Sequence, residues 1–324
     1  MLGAAKDSSV AIETVSFGEP MVEFNARTVG RLRDVGAFER GFGGDTSNMI
    51  IALAKLGHRC GYVTKVGSDE FGRALLNLWD SEGVDTTLVL IEENGFTGIY
   101  FVARTEEGRH EFTYYRSSSA ASHFEPSDLD MEYINHTRVF HTSGITQAIS
   151  ASCRNSVERV FDELDRTAVS MTYDPNLRLR LWPVSMAKEV ILRTMGKADI
   201  VFPSLEDAQT LVGAERPEEL AGRILDLGCR LVALKLGAEG CIVADNKEIS
   251  RIPAFPVKVV DTTGAGDAFD AGFLASVLEG KSAREAAVFA NAVAALKCLG
   301  KGAIVPQPRR SEVELFLKQS ADAP

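Results

Sequence analysis

No apolar run in this 324-residue chain approaches the ~18 residues that a membrane-spanning helix needs. Its opening residues, with Lys6 and Asp7 among small side chains, lack the apolar core and cleavage pattern of an export signal, so the first nine read as a frayed tail. Cysteine is sparse. Cys60, Cys153, Cys229, Cys241 and Cys298 never form C-x-x-C, which speaks against a disulfide framework and fits reduced, buried thiols in a cytoplasmic setting. The five histidines (His58, His110, His123, His136 and His141) form neither H-E-x-x-H nor a Cys/His cluster, so no structural zinc is expected. Basic clusters are missing as well, and at a net charge of −10 neither nucleic acid nor an anionic membrane is an expected partner. Three nucleotide signatures also fail. Gly280-Lys281-Ser282 ends like a Walker A loop, but Ala275 stands where the first glycine is required. Gly264-Ala265-Gly266 is followed by Phe269 where a dinucleotide fingerprint has its third glycine. The H-R-D of protein kinases is absent.

What is present is an ordinary globular composition, 45% hydrophobic and 25% charged, in a chain of a length common for one α/β domain with a small appendage. Apolar runs of strand length alternate with amphipathic segments, the pattern of a mostly parallel sheet covered by helices on both faces. Strands are expected near Ile12–Phe17, Gly61–Val66, Arg138–His141, Ala168–Tyr173, Ile200–Phe202, Leu231–Leu236 and Cys241–Asp245. The main helices are expected near Thr46–Leu56, Phe71–Ser81, Ala151–Asp165, Ser185–Thr194, Leu205–Val212, Pro217–Leu227, Gly266–Glu279 and Ser282–Leu299. Two stretches, 21–42 and 86–116, break the alternation. In the second, Thr97–Arg104 and His110–Arg116 flank Glu106-Glu107-Gly108 like a hairpin, giving an antiparallel flap rich in aromatics.

The run Asp261-Thr262-Thr263-Gly264-Ala265-Gly266-Asp267 places three small residues and a carboxylate where a helix should begin. Backbone amides of Gly264, Ala265 and Gly266 can surround an anion at that positive helix end. Asp267 in the first turn is then suited to take a proton from a hydroxyl attacking a phosphate. Phosphoryl transfer asks for little more than charge neutralisation, placement and one such base, with Mg²⁺ arriving on ATP.

This run resembles the C-terminal signature of the ribokinase-like, or PfkB-type, sugar kinases. Gly41-Phe42-Gly43-Gly44-Asp45-Thr46-Ser47-Asn48, followed by Ala54-Lys55-Leu56-Gly57 and Val66-Gly67-Ser68-Asp69-Glu70-Phe71-Gly72, is similar to the N-terminal signature. The resemblance spans roughly residues 12 to 306. It implies a single three-layer αβα domain over 1–324 with a small β-lid from about 21–42 and 86–116, and often a homo-oligomer contact through that lid. It also implies Asp267 as catalytic base, the amides from Gly264 through Ala265 and Gly266 to Asp267 as the anion hole, and Gly43, Gly44 and Asn48 near the sugar hydroxyls. On the nucleotide side it points to Ser204, Lys235, Gly237, Gly240, Gly264, Gly266 and Asn291. Ser204 and Asp207 depart from the Asn and Glu usual in Pro-Asn-x-x-Glu, so a helix N-cap at Ser204 is an equal reading. Asp261 resembles a residue near a monovalent-cation (K⁺) loop, or is a plain turn aspartate.

A narrower resemblance rests on Phe96-Thr97-Gly98-Ile99-Tyr100, Phe112-Thr113-Tyr114-Tyr115-Arg116, His141-Thr142-Ser143-Gly144-Ile145-Thr146 and Asp174-Pro175-Asn176-Leu177-Arg178. It is similar to the subgroup that phosphorylates 2-keto-3-deoxygluconate, and implies that Tyr100, Tyr114, Arg116 and Arg178 bind a sugar acid. A carboxylate entering an acidic protein needs a pre-aimed cation, which Arg116 could supply; pairing with a carboxylate such as Glu111 is the competing reading. The expected activity is ATP- and Mg²⁺-dependent phosphorylation of the acceptor's terminal primary hydroxyl. A fructokinase or other ketose kinase, and a non-catalytic sugar or nucleoside sensor, stay open as alternatives.

Overall fold

The computed structural model describes residues 11–104, 110–213 and 215–321, so the expected frayed tail and the Glu106-Glu107-Gly108 turn lie outside the described residues. Fourteen strands occur among them: β1 Thr14–Phe17, β2 Met21–Ala26, β3 Phe38–Gly43, β4 Cys60–Gly67, β5 Val84–Asp85, β6 Val89–Glu92, β7 Ile99–Arg104, β8 His110–Tyr115, β9 Val139–Ser143, β10 Ser170–Asp174, β11 Ile200–Val201, β12 Leu231–Lys235, β13 Cys241–Asp245 and β14 Ile249–Ile252. The helices are α1 Asp45–Lys55, α2 Glu70–Ser81, α3 Met131–Asn135, α4 Gly144–Ile149, α5 Ala151–Glu163, α6 Val184–Lys197, α7 Leu205–Val212, α8 Pro217–Leu225, α9 Ala265–Leu278, α10 Ala283–Lys297 and α11 Arg310–Ala321.

Ten strands form one sheet in the order β14-β13-β12-β11-β10-β9-β1-β4-β5, with β6 also paired to β4. Pairing is parallel from β12 through β4 and antiparallel only at the β12–β13–β14 edge. Strand β9 is buried along its whole length because helices cover both faces of the sheet. One core packs α1, α2, α9 and α10 on one face; the other packs α5 to α8 on the opposite face. The three-layer αβα expectation therefore holds. β1 lies between β4 and β9, so the chain leaves it toward both edges, and the crevice past its C-terminal end is where open α/β sheets bind ligands.

Helix α9 is buried on nearly all sides, as its Ala, Gly and Phe content demands. A Cβ on Gly272 would fall 2.9 Å from the Ala290 Cα, so α9 approaches α10 as closely as small residues allow. That close packing fixes where the α9 N-terminus points.

Strands β3-β2-β7-β8 form a separate sheet over the crevice. Residues alternate across it. Glu23, Tyr100 and Tyr114 are cross-strand neighbours in one row, and Phe24 and Phe101 are neighbours in the adjacent one. The expected flap differs in its second segment. Val89–Glu92 pairs in parallel with β4 and belongs beside the main sheet, so the small sheet begins again only at Ile99. Strand β13 matches the expected Cys241–Asp245, whereas its hairpin partner β14 and helix α11 have no counterpart among the expected elements. No helix among the described residues is long and apolar enough to cross a membrane, and all five cysteines are free and buried.

Candidate active site

A cleft of about 1470 Å³ opens between the C-terminal ends of the parallel strands and the small sheet. Two helix starts converge on its floor. Gly44, with φ +106, precedes α1, and Gly264, with φ +77, precedes α9; a side chain would be strained at either. A Cβ on Gly44 would strike the Glu19 carbonyl at 2.3 Å, so this turn demands glycine for space as well.

Asp267 occupies the third position of α9, is 8% exposed, and accepts a 2.7 Å hydrogen bond from Asn48 Nδ2 on α1. Burial, and next the nearby Asp45, push its carboxyl up to about 7. The Ala265 amide donates to the Thr262 carbonyl at 3.0 Å, so it is engaged within the turn. Among the described residues, the amides of Gly264, Gly266 and Asp267 have no protein acceptor. Of the four amides expected to form an anion hole, Gly264 to Asp267, that of Ala265 is thus engaged within the turn and the other three are left for a ligand. Three aligned donors at a positive helix end beside a carboxyl that titrates near neutrality can bind an anion and exchange a proton at one place.

Lys235, at the end of β12, donates to Asp174 Oδ2 at 2.9 Å and to Asp270 Oδ1 at 3.0 Å. Burial opposes its charge, but the two carboxylates outweigh that and hold its pKa above the usual lysine range. Its Nζ lies 3.4 Å from where a Cβ on Gly266 would be, so the ammonium sits against the start of α9. Asp270 is three residues after Asp267 on the same helix face, a relation visible in sequence but not read there. Asn176, which follows Asp174, adopts φ +34 and donates to Asp45 Oδ2 at 2.9 Å. Non-glycine residues hold such a conformation where surrounding contacts impose it, here at the cleft wall.

Toward the small sheet, Tyr100 is buried, stacks on Tyr114 with ring centroids 5.5 Å apart, and its hydroxyl contacts the Glu23 carboxyl. Gly43 lies under that hydroxyl, where a Cβ would be 2.3 Å away, so it admits Tyr100 and does not itself line the cleft. Arg116 pairs with the buried Glu19 and lies over the Tyr114 ring. The competing partner considered for it was Glu111; the loop after β1 supplies the carboxylate instead. Arg116 Nε is buried and has no acceptor among the described residues. Arg178 is exposed at the rim and donates to the Leu177 carbonyl.

On the remaining side, Ser204 caps α7, accepting from the Asp207 amide at 3.1 Å, in line with the N-cap reading. Burial, then Asp174, raise the Asp207 carboxyl to about 6. Gly237 lines the cleft with φ +59. Two expected nucleotide residues, Gly240 and Asn291, are not among those lining the cleft. Gly240 shapes the β12–β13 turn, where a Cβ would meet the Ile252 carbonyl at 2.1 Å. Asn291 is buried and donates to the Pro253 carbonyl at 3.1 Å, tying α10 to the segment after β14. An amide in an Ala-rich helix gave no sign of which face it would present. Asp261 is also outside the cleft lining. Its Oδ1 accepts from the Thr263 amide and hydroxyl, its Oδ2 from the Gly302 amide, and its carbonyl from the Lys297 ammonium at 2.8 Å. With that carbonyl already held by a cation, the loop does not fit a bound K⁺.

Residues 11–310 match the family model described as pfkB family carbohydrate kinase. The chain is 38% identical over 307 residues to a 2-dehydro-3-deoxygluconokinase of Thermoproteus tenax, covering 93% of each protein. It is 33% identical over 309 residues to a 2-dehydro-3-deoxygluconokinase of Bacillus subtilis (strain 168), covering 94% of this chain and 95% of that one. A probable chloroplastic fructokinase-6 of Arabidopsis thaliana is 35% identical over 316 residues, with 94% and 82% covered. Among solved structures, a PfkB protein from Polaromonas sp. JS666 aligns with a TM-score of 0.86 at 32% identity, over 94% of this chain and 99% of that one. A putative ribokinase II from E. coli in complex with ATP and Mg²⁺ aligns with a TM-score of 0.88 at 25% identity, over 95% and 99%.

Proposed function

The chain belongs to the pfkB family of carbohydrate kinases, and from that premise we propose that it transfers the γ-phosphoryl group of ATP to the terminal primary hydroxyl of a sugar acid, with 2-keto-3-deoxygluconate as acceptor. The observation that carries this reading is the pairing of a buried, near-neutral Asp267 carboxyl with the unengaged amides of Gly264, Gly266 and Asp267 at the start of α9. Asp267 takes the proton of the attacking hydroxyl, and the amides receive the migrating phosphoryl group. Asn48 holds the carboxyl in place through its 2.7 Å bond. Lys235, anchored between two carboxylates, adds a fixed positive charge against Gly266 without being able to wander into the cleft.

Among the described residues no three His, Cys, Asp or Glu side chains cluster as a metal-binding set, so Mg²⁺ would be held chiefly by the phosphates of ATP and by water. Asp174, Glu206 and Asp207 line the nucleotide side, and the raised Asp207 carboxyl is of the kind a divalent cation would favour in ionised form. These residues would meet the ion through water, and its charge would offset that of the phosphates.

On the acceptor side, the small sheet of residues 21–43 and 99–116 acts as a lid, with Tyr100 and Tyr114 against the sugar. Its other face carries the packed rings of Phe38, Phe101 and Tyr115, Tyr115 largely exposed; this supports the homo-oligomeric contact expected there, which light scattering would report. Arg116, whose side chain lines the cleft, and Arg178, with a guanidinium at the rim, are the cations an acceptor carboxylate would meet there. One observation favours the ketose-kinase alternative: Glu19 already balances the charge of Arg116. The two readings part in one comparison. If the acceptor is an acid, Arg116→Ala should lower kcat/KM on 2-keto-3-deoxygluconate by about 2 kcal/mol, or about thirtyfold, beyond any loss on fructose. Equal losses on both acceptors would remove Arg116 as the carboxylate partner.

A further inference from the structure

Lys297, the last residue of α10, has a fully buried side chain, and its ammonium bonds to a backbone oxygen in the loop that leads into the anion hole. A buried ammonium is costly unless it is well compensated, and a hydrophobic side chain of similar length would fill the same space without that cost. Its direct partner is the carbonyl of Asp261, at 2.8 Å, and the carboxylates acting on it are Asp261, Asp267 and Glu23. It also stands at the C-terminal end of α10, where a helix favours a positive charge.

The loop it touches is held on every side. Val260 donates to the Cys298 carbonyl at 2.8 Å, Thr263 to Asp261 Oδ1 at 2.9 Å, and Gly302 to Asp261 Oδ2 at 2.8 Å. Three residues beyond Asp261, Gly264 turns the chain into α9, with Ala303 close behind it. The orientation of the Asp261 peptide therefore passes directly to the amides of Gly264, Gly266 and Asp267. An ammonium 2.8 Å from a carbonyl oxygen does what a bound monovalent cation does: it places one positive charge and fixes the direction of the carbonyl. A second monocation on the same oxygen would be repelled by the first.

We propose that Lys297 is a positioning residue that serves as a tethered monovalent cation for the Asp261–Gly264 loop, so that nucleotide binding and phosphoryl transfer need no free K⁺ or Na⁺. This rests on the reading that the Gly264–Asp267 amides receive the phosphoryl group.

The test is calorimetric titration of Mg·ATP into the full-length protein, in choline chloride and in potassium chloride at equal ionic strength. Wild type should give dissociation constants within about twofold of each other. Lys297→Ala, which vacates the ammonium's place, should bind about tenfold more weakly in choline and recover most of that loss when potassium or ammonium replaces choline, which a merely structural role would not produce. A folded Lys297→Ala with wild-type affinity in choline, or one whose loss no cation restores, would overturn the proposal. If the variant fails to fold, as its thermal melt would reveal, the wild-type comparison decides alone. Ion-independent binding supports the proposal, and an affinity about tenfold or more higher in potassium overturns it. Absence of Mg·ATP binding in every salt would overturn both this proposal and the phosphoryl-transfer reading, an outcome distinct from potassium dependence.

Discussion

Asp267→Asn is expected to lower kcat by roughly two to four orders of magnitude while leaving the dissociation constant for Mg·ATP nearly unchanged. The substitution keeps the shape of the side chain and an oxygen for Asn48 Nδ2 to bond, but removes the only atom at the start of α9 proposed to accept a proton. Because burial raises this carboxyl to about 7, wild-type turnover should fall about tenfold per pH unit below that value, as the base takes up its proton. The residual rate of the variant should lack that limb. Stability should move in a linked way. A folded-state pKa above the unfolded value of about 3.9 means the native state binds the proton more tightly, so ionisation costs stability as pH rises from about 4 through 7. Asp267→Asn should then melt at a higher temperature than wild type at pH 8, with the difference closing toward pH 4. Near-normal turnover, or a pH profile unaltered by the substitution, would remove Asp267 as the base.

Lys235→Met is expected to destabilise the protein by about 3–5 kcal/mol, the cost of leaving buried carboxylates without their cation. Asp174 and Asp270 are 5% and 1% exposed and share that ammonium, so Asp270 above all is left without compensation when it is lost. Adding Asp270→Asn to Lys235→Met should recover part of the loss, because one uncompensated charge disappears with its partner. Urea denaturation of the single and double variants reads both effects. An unchanged midpoint for Lys235→Met would mean that the trio is not the electrostatic unit its geometry indicates.

Much of this was legible where chemistry is local in the chain. The glycines and carboxylate that open α9 lie within four consecutive residues, and apolar runs such as 231–234 are long enough to mark buried strands. What escaped was built by distance. Lys235 meets Asp174 across 61 positions and Asp270 across 35, and nothing in either neighbourhood announces the other. The same holds for Glu19 with Arg116, and for Lys297 with the Asp261 carbonyl. Asn291 was placed near the nucleotide by resemblance, yet it spends its amide on the turn after β14, because a buried polar group on α10 must bond whatever backbone faces it. Val89–Glu92 was assigned to the flap because it follows a break in the alternation; a short strand carries too few residues to say which sheet it will join. Ala265 illustrates a finer limit: its small side chain suited the anion hole, but its amide direction depended on a turn bond to Thr262 that no pattern of residue types encodes.

The most direct test of the account is the ratio of kcat/KM for 2-keto-3-deoxygluconate and fructose, measured on wild-type protein by ADP release at saturating Mg·ATP. A ratio of about ten or more in favour of the sugar acid is expected, as one charged hydrogen bond to the acceptor carboxylate would supply. Fructose turned over as efficiently as the acid, or better, would contradict the sugar-acid assignment and leave the same site as that of a ketose kinase.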